Sequence, residues 1–396
     1  MRSSTQESSS GDRGGLARRV ATHAAAAGLG ALLVWISLVR PEAASHRRGS
    51  SVGPDPLRAP PSAFPWSQPP GDWFAIPTFA RFLNGVDIVL DPGHGGRSDR
   101  PNWKRGPTGL QEAEVNLKVA LFLREFLVVA GAVVTMTRET DIYLHEDDGE
   151  DLSRRIAIAN ERGADLFLSV HHNAADSPTA NYTTVFYHGG AETSLAGLDA
   201  ARHLLGGLDD ALRLEQRVGV ALVSDFEIYP DKGFRVLREA RVPAVLSEAS
   251  FHSNPQEEER LRDPLYNRRE AYGLFLGLAR WAQAGLPRVQ WAAPSSAASR
   301  SRGWTVRLDD GLSARGGIGS RGRNIREDSI VVRWGDRPAS FRFDAQRREI
   351  DVDPPASRGA DRLYVDFRNI FGQHVLHPWL PTATAPASPN RDSRRP

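Results

Sequence analysis

Between residues 84 and 285, short apolar runs alternate with longer stretches of helical period. Val86-Asp87-Ile88-Val89-Leu90 reads as a buried strand. It stops at Asp91-Pro92-Gly93, because proline has no N–H to pair and glycine tolerates positive φ. A polar Gly/Pro-containing loop over 97–109 follows. Leu110 to Ala130 is a long helix, apolar on most faces and so largely buried, with Gly131 as its stop. Ala132 to Thr137 is the next strand, and Leu152 to Arg162 a helix. Asp165 to Val170 is a third strand that runs straight into His171-His172-Asn173. Thr183 to Tyr187 is a further strand, and Leu195 to Leu214 a helix interrupted by Gly206-Gly207. Pro243 to Ser247 is a last short strand ending at Glu248, and the amphipathic helix Leu265 to Ala284 closes the series. Strands alternating with helices predict a layered α/β sheet.

From Trp304 the period changes to two. Ile330 to Trp334, Phe341 to Asp344, Ile350 to Val352 and Leu363 to Phe367 alternate between Gly, Pro and Asp turns. That pattern predicts a small C-terminal all-β sandwich over 303–380. It holds no catalytic cluster and reads as an accessory unit. Residues 286–302 form a linker of Pro, Ala, Ser and Arg, and 381–396 a polar tail.

The N-terminus has another character. Arg18-Arg19, an apolar stretch from Ala24 to Val39 and the small-residue run after Pro41 make residues 1–45 an export signal or a retained membrane anchor. Residues 46–83, rich in Pro, Ser and Gly as far as residue 72, form a disordered linker. The chain is therefore expected outside the cytoplasm, in the periplasm or cell envelope.

Composition narrows the chemistry. The 396 residues include no cysteine, which excludes disulfides, thiolate metal sites and a cysteine nucleophile. Any metal must be held by histidine and carboxylate. A formal charge of +2 argues against a dedicated nucleic-acid face. The acidic run Glu146 to Asp151 reads as a solvated loop.

A lone histidine after a strand is usually structural. Here His94, one of His171 and His172, and Glu248 all lie at strand ends, the edge where open α/β sheets bind ligands. Glu112 or Glu114, from the first turn of the long helix, adds a carboxylate from the loop side. Two histidines and a carboxylate form a standard catalytic zinc set, and Glu248 is a spare carboxylate for proton transfer.

The stretches DPGHGG (91–96), EAEVNL (112–117), SVHHNA (169–174) and PAVLSEASFHSN (243–254) resemble, in order and spacing, the zinc-dependent N-acetylmuramoyl-L-alanine amidases of the Amidase_3 type. TRETD (137–141) and RRIAIAN (154–160) fit as well. The resemblance covers residues 85–284 and implies a mixed sheet with helices on both faces over the span 84–285. It implies cleavage of the amide between N-acetylmuramic acid and L-alanine in peptidoglycan by zinc-activated water. It assigns His94, Glu112 and His171 to Zn2+ and Glu248 to the general base. His172 falls to the opposite face of its strand. Ser250 departs from the family's glycine and puts the local backbone in question. Some amidases of this kind are held inactive by a helix over the site and relieved by an activator protein; residues 189–232 are where such a plug is expected. The competing readings are a two-carboxylate glycosidase of the same polymer and a wall-binding module with a dead site.

Overall fold

The structure, a computed structural model, describes residues 73–97, 103–190, 195–216, 220–292, 304–313, 324–354 and 362–382. The expected export signal, most of the N-terminal linker, residues 293–302 and the tail from 383 lie outside the described residues.

Six strands make one sheet: β1 (Asp87–Pro92), β2 (Val133–Met136), β3 (Leu166–Asn173), β4 (Thr184–Tyr187), β5 (Leu222–Ser224) and β6 (Ala244–Phe251), in the order β2-β1-β3-β6-β4-β5. The first four in that order are parallel. β4 is antiparallel to β6 and parallel to β5, so the sheet is mixed. Successive residues of each central strand serve opposite layers, because side chains alternate across a pleated strand. Ile88, Leu90, Leu166, Leu168, Val170 and Val245 enter one core with α1 (Glu112–Val129), α3 (Leu195–Leu212) and α6 (Pro264–Gln283). Val89, Phe167, Ala244 and Leu246 enter the other, beneath α2 (Asp148–Arg162) and α4 (Arg235–Arg238). A short α5 (Pro255–Leu261) leads into α6. Helices thus cover both faces.

Several boundaries differ from the sequence reading. The acidic run is not all loop. Asp147 caps α2 by accepting the Glu150 N–H at 2.9 Å, and Asp148, Glu150 and Asp151 occupy its first turn. There the unpaired N–H groups and the helix dipole favour carboxylates. The N-terminal linker ends before residue 83. A 3₁₀ turn over Thr78–Leu83 buries Ala80, Phe82 and Leu83 in the first core, and the Tyr272 hydroxyl of α6 donates to the Ala75 carbonyl at 2.6 Å. The second linker also shortens, since Leu286 is buried and β7 (Arg288–Ala292) joins the C-terminal sheets. β6 runs to Phe251, so Glu248 sits within the strand: its ladder continues through His171 on one side and Thr184 on the other. Ser250 stays in this extended strand, outside the left-handed region.

The C-terminal sheets are antiparallel. One pairs β10 (Arg337–Pro338), β9 (Ile325–Trp334), β13 (Arg362–Asn369) and β14 (Trp379–Pro381). The other pairs β11 (Phe341–Asp344), β12 (Glu349–Val352), β8 (Trp304–Asp309) and β7. Their inner residues, among them Val306, Ile350, Val332, Val365 and Phe367, share one core. The sandwich is tied to the α/β sheet's helices by buried polar contacts. Asp199 of α3 accepts the His374 N–H at 2.8 Å, and the Asn369 amide donates to the Ala284 carbonyl at 2.9 Å. α3 itself packs into the first core against α6 and is no plug over the strand ends.

Phe82→Ala tests whether residues 73–83 belong to the core. It should lower the unfolding free energy by about 3 kcal/mol, as truncation of a core aromatic does. Urea denaturation of the full chain measures it; a linker residue would leave the midpoint unchanged.

Candidate metal centre and active site

His94 lies just beyond β1 in a backbone conformation that disfavours side chains, with φ of 59°. Two arginines hold it there. Arg138 donates to the carbonyls of Pro92 and Gly93 at 2.8 and 2.9 Å, and Arg155 to those of Pro92 and His94 at 3.0 and 2.7 Å. Arg155 is fully buried and paired with Asp91 at 3.0 Å and Asp151 at 2.7 Å. Asp91 also accepts from Thr137 and Ser169, both at 2.7 Å. Burial works to raise the Asp91 pKa, but the guanidinium and the two hydroxyls outweigh it and hold it below the usual range.

Gly93 matters for what it lacks. A Cβ there would lie 2.1 Å from Cε1 of His171, so the missing side chain makes room for the second imidazole. His171 comes from β3 and meets His94 edge to face, with ring centroids 4.8 Å apart.

Glu112, the first residue of α1, joins the two rings. Its Oε2 lies 3.1 Å from His94 Nε2 and its Oε1 3.0 Å from His171 Nδ1. Oε1 also accepts the His172 N–H at 3.2 Å and an Asn116 amide N–H at 3.3 Å. Burial pushes the Glu112 pKa up, yet the imidazoles around it prevail and hold it well below the ordinary carboxylate value. Burial likewise pushes His94 down to about 4, against the pull of Glu112, so its lone pair is available at neutral pH. Glu114 points away; it is exposed and paired with Lys118 at 2.6 Å.

His172 is neither ligand nor surface residue. Its ring is buried between the Asn116 carbonyl oxygen at 2.8 Å and Glu270 at 2.9 Å. Both partners accept, so both ring nitrogens carry protons. Burial opposes the charge, but Glu270 overcomes it and raises the pKa. Asn116 then spends its N–H bonds on Gly93 and Glu112. The sequence placed His172 on the far face of its strand as a surface or supporting residue, and the supporting role is what the structure shows; its partner Glu270 was not legible in the sequence.

Glu248 of β6 stands beside His171 in register. It is 5% exposed, and its buried Oε2 has no hydrogen-bond partner among the described residues. Burial, reinforced by the Glu112 charge, raises its pKa well above the ordinary value, with Lys104 opposing. All four residues line one cleft of about 910 Å³.

The donor atoms of His94, Glu112 and His171 lie within 4.8 Å of one another. Two imidazoles and one carboxylate converging from three elements match a catalytic zinc set, which leaves a fourth position open. The contacts of Glu112 to both rings stand where bonds to a cation would form, and an orphaned carboxylate faces the same cleft. The residues fit a divalent metal.

Glu112→Ala should abolish bound zinc, while Glu114→Ala leaves it near stoichiometric; metal analysis of the purified variants by mass spectrometry decides between them. Gly93→Ala should also lose zinc by displacing His171. Arg155→Met should lower the unfolding free energy by about 3–5 kcal/mol by leaving Asp91 buried and unpaired, seen as an earlier urea midpoint.

The family described as N-acetylmuramoyl-L-alanine amidase matches residues 88–280. A germination-specific N-acetylmuramoyl-L-alanine amidase of Bacillus subtilis is 30% identical over 226 residues, 55% of this chain and 83% of that protein. A probable cell wall amidase, LytH, of Staphylococcus epidermidis is 33% identical over 199 residues, 50% of this chain and 59% of its own length. Among solved structures, the catalytic domain of the amidase CwlV from Paenibacillus polymyxa aligns with 28% identity and a TM-score of 0.41, covering 50% of this chain and 97% of that one. With most of the Bacillus subtilis protein's length matched, and with the family match spanning the sheet that carries His94, His171 and Glu248, the chain belongs to the N-acetylmuramoyl-L-alanine amidase family.

Proposed function

We propose that the chain is a zinc-dependent peptidoglycan amidase that cleaves between N-acetylmuramic acid and the L-alanine of the stem peptide. The observation that carries this reading is the convergence of His94, Glu112 and His171 beside a buried carboxylate, Glu248, that has an oxygen unpartnered among the described residues. His94, Glu112 and His171 would hold the metal. When bound, zinc supplies Lewis-acid polarisation and makes water a stronger acid at neutral pH.

Glu248 then moves the protons. Its carboxylate takes one from the attacking water and delivers it to the departing alanine nitrogen. Burial suits it to both halves: a raised pKa makes the carboxylate a better base and its acid form a usable donor. Glu112 cannot share this work, because it belongs to the metal set. That argues against the two-carboxylate glycosidase, which needs a second free carboxyl group. The intact ligand set and Glu248 argue against a dead wall-binding module. Reading residues 1–45 as an export signal or a retained membrane anchor supports placing the enzyme in the cell envelope, where its polymer lies.

Digestion of purified sacculi tests the reaction. The products should be stem peptides with new free L-alanine amino termini and uncut glycan strands, identified by mass spectrometry; new reducing sugar ends would contradict the reading. Glu248→Gln should keep zinc and the thermal melt and lose turnover by roughly 10²–10⁴, the usual scale of general acid–base catalysis. Near-native turnover in that variant would remove Glu248 from the mechanism.

A further inference from the structure

His252 follows β6 directly and is used by neither the metal set nor the proton transfer. It is buried, at 2% exposure, and lines the same cleft as His94 and Glu248. Its backbone N–H is fixed to the Asn173 carbonyl at 2.9 Å, and its Nδ1 lies 3.0 Å from the His172 carbonyl oxygen. A carbonyl only accepts, so Nδ1 carries the proton of the neutral ring and Nε2 is left with a bare lone pair. Among the described residues Nε2 has no hydrogen-bond partner. Nε2 is not sealed in the core: it opens into the cleft, where a ligand can reach its lone pair. Burial favours the neutral ring, against the attraction of Glu112.

A second observation says what kind of group would. Lys104 is half-buried on the cleft wall with no ion-pair or hydrogen-bond partner for its ammonium among the described residues, and its charge acts on His252, His94 and Glu248 alike. A lone-pair acceptor and an unpaired cation in one cleft are complementary to a ligand that carries an N–H donor and a carboxylate. A peptide carrying free carboxylates presents that pair, and a neutral glycan does not.

Resting on the amidase reading, we propose that His252 is a substrate-binding residue whose Nε2 accepts a backbone N–H of the stem peptide, with Lys104 taking a neighbouring carboxylate. The imidazole is held in register for this by the His172 carbonyl. It therefore acts on how tightly the peptide is held, and does not carry protons between water and leaving group.

The test uses the full chain and a soluble disaccharide–tripeptide muropeptide. His252→Asn keeps an amide N–H close to where Nδ1 donates to the His172 carbonyl, and loses the Nε2 acceptor. It should keep zinc content and melting temperature and raise KM about three- to tenfold, the worth of one neutral hydrogen bond, with kcat changed less. His252→Gln, whose longer side chain brings a carbonyl oxygen toward the Nε2 position, should recover part of the loss. Calorimetric titration with the free tripeptide should show the same weakening in His252→Asn, and titration with the free disaccharide none. A native KM in His252→Asn overturns the proposal alone. So does loss of zinc or of thermal stability in that variant, which would make His252 a structural support. Weakened disaccharide binding with native tripeptide binding overturns it by placing the donor on the sugar. A native enzyme that does not release stem peptide overturns the amidase reading and the proposal with it.

Discussion

A carboxylate buried at the first turn of a helix is the constraint on which this site depends. Removed from water without partners, Glu112 would be strongly destabilising. It is accommodated because two imidazoles, a backbone N–H and an amide N–H all converge on its oxygens. Those partners come from the loop after β1, from β3 and from α1 itself. Satisfying Glu112 therefore fixes the spacing of two strand ends and a helix terminus, and the same spacing brings the donor atoms of the three side chains within 4.8 Å of one another.

The supporting layers hold each partner in turn. Arg138 and Arg155 grip the carbonyls that present His94, and Asp91 anchors Arg155. On the other side, Glu270 of α6 reaches His172, and His172 orients Asn116. Both layers are charged and buried, so removing one member leaves another uncompensated. The two hydrophobic cores do the coarser work. Period-two alternation along β1, β3 and β6 pins the sheet between helices, and a one-residue slip would exchange the layers.

Much of this was legible in the sequence because it follows from periods. Apolar runs ending in His94, His171 and Glu248 marked the strand ends, while the choice of Glu112 over Glu114 came from the resemblance. The supports were not legible for a physical reason: Arg155 and Glu270 are charged groups whose burial depends on partners from distant segments. Asn116 offered a weak signal, a polar residue one turn after Glu112 in a helix otherwise apolar on that face. The glycine before His94 was read as part of a strand stop that tolerates positive φ; its φ is not positive, and its role is room for His171. Element edges shifted where side chains outweighed local composition, as when Phe82 and Leu83 carried a Pro-rich approach into the core.

The central claim is that one metal sits among His94, Glu112 and His171. Anomalous diffraction from crystals of the zinc-loaded protein, recorded on both sides of the zinc absorption edge, tests it most directly. The account predicts a single strong peak about 2.0–2.2 Å from His94 Nε2, His171 Nδ1 and a Glu112 oxygen. A peak elsewhere, or a ligand sphere built on His172 or Glu114, would contradict it.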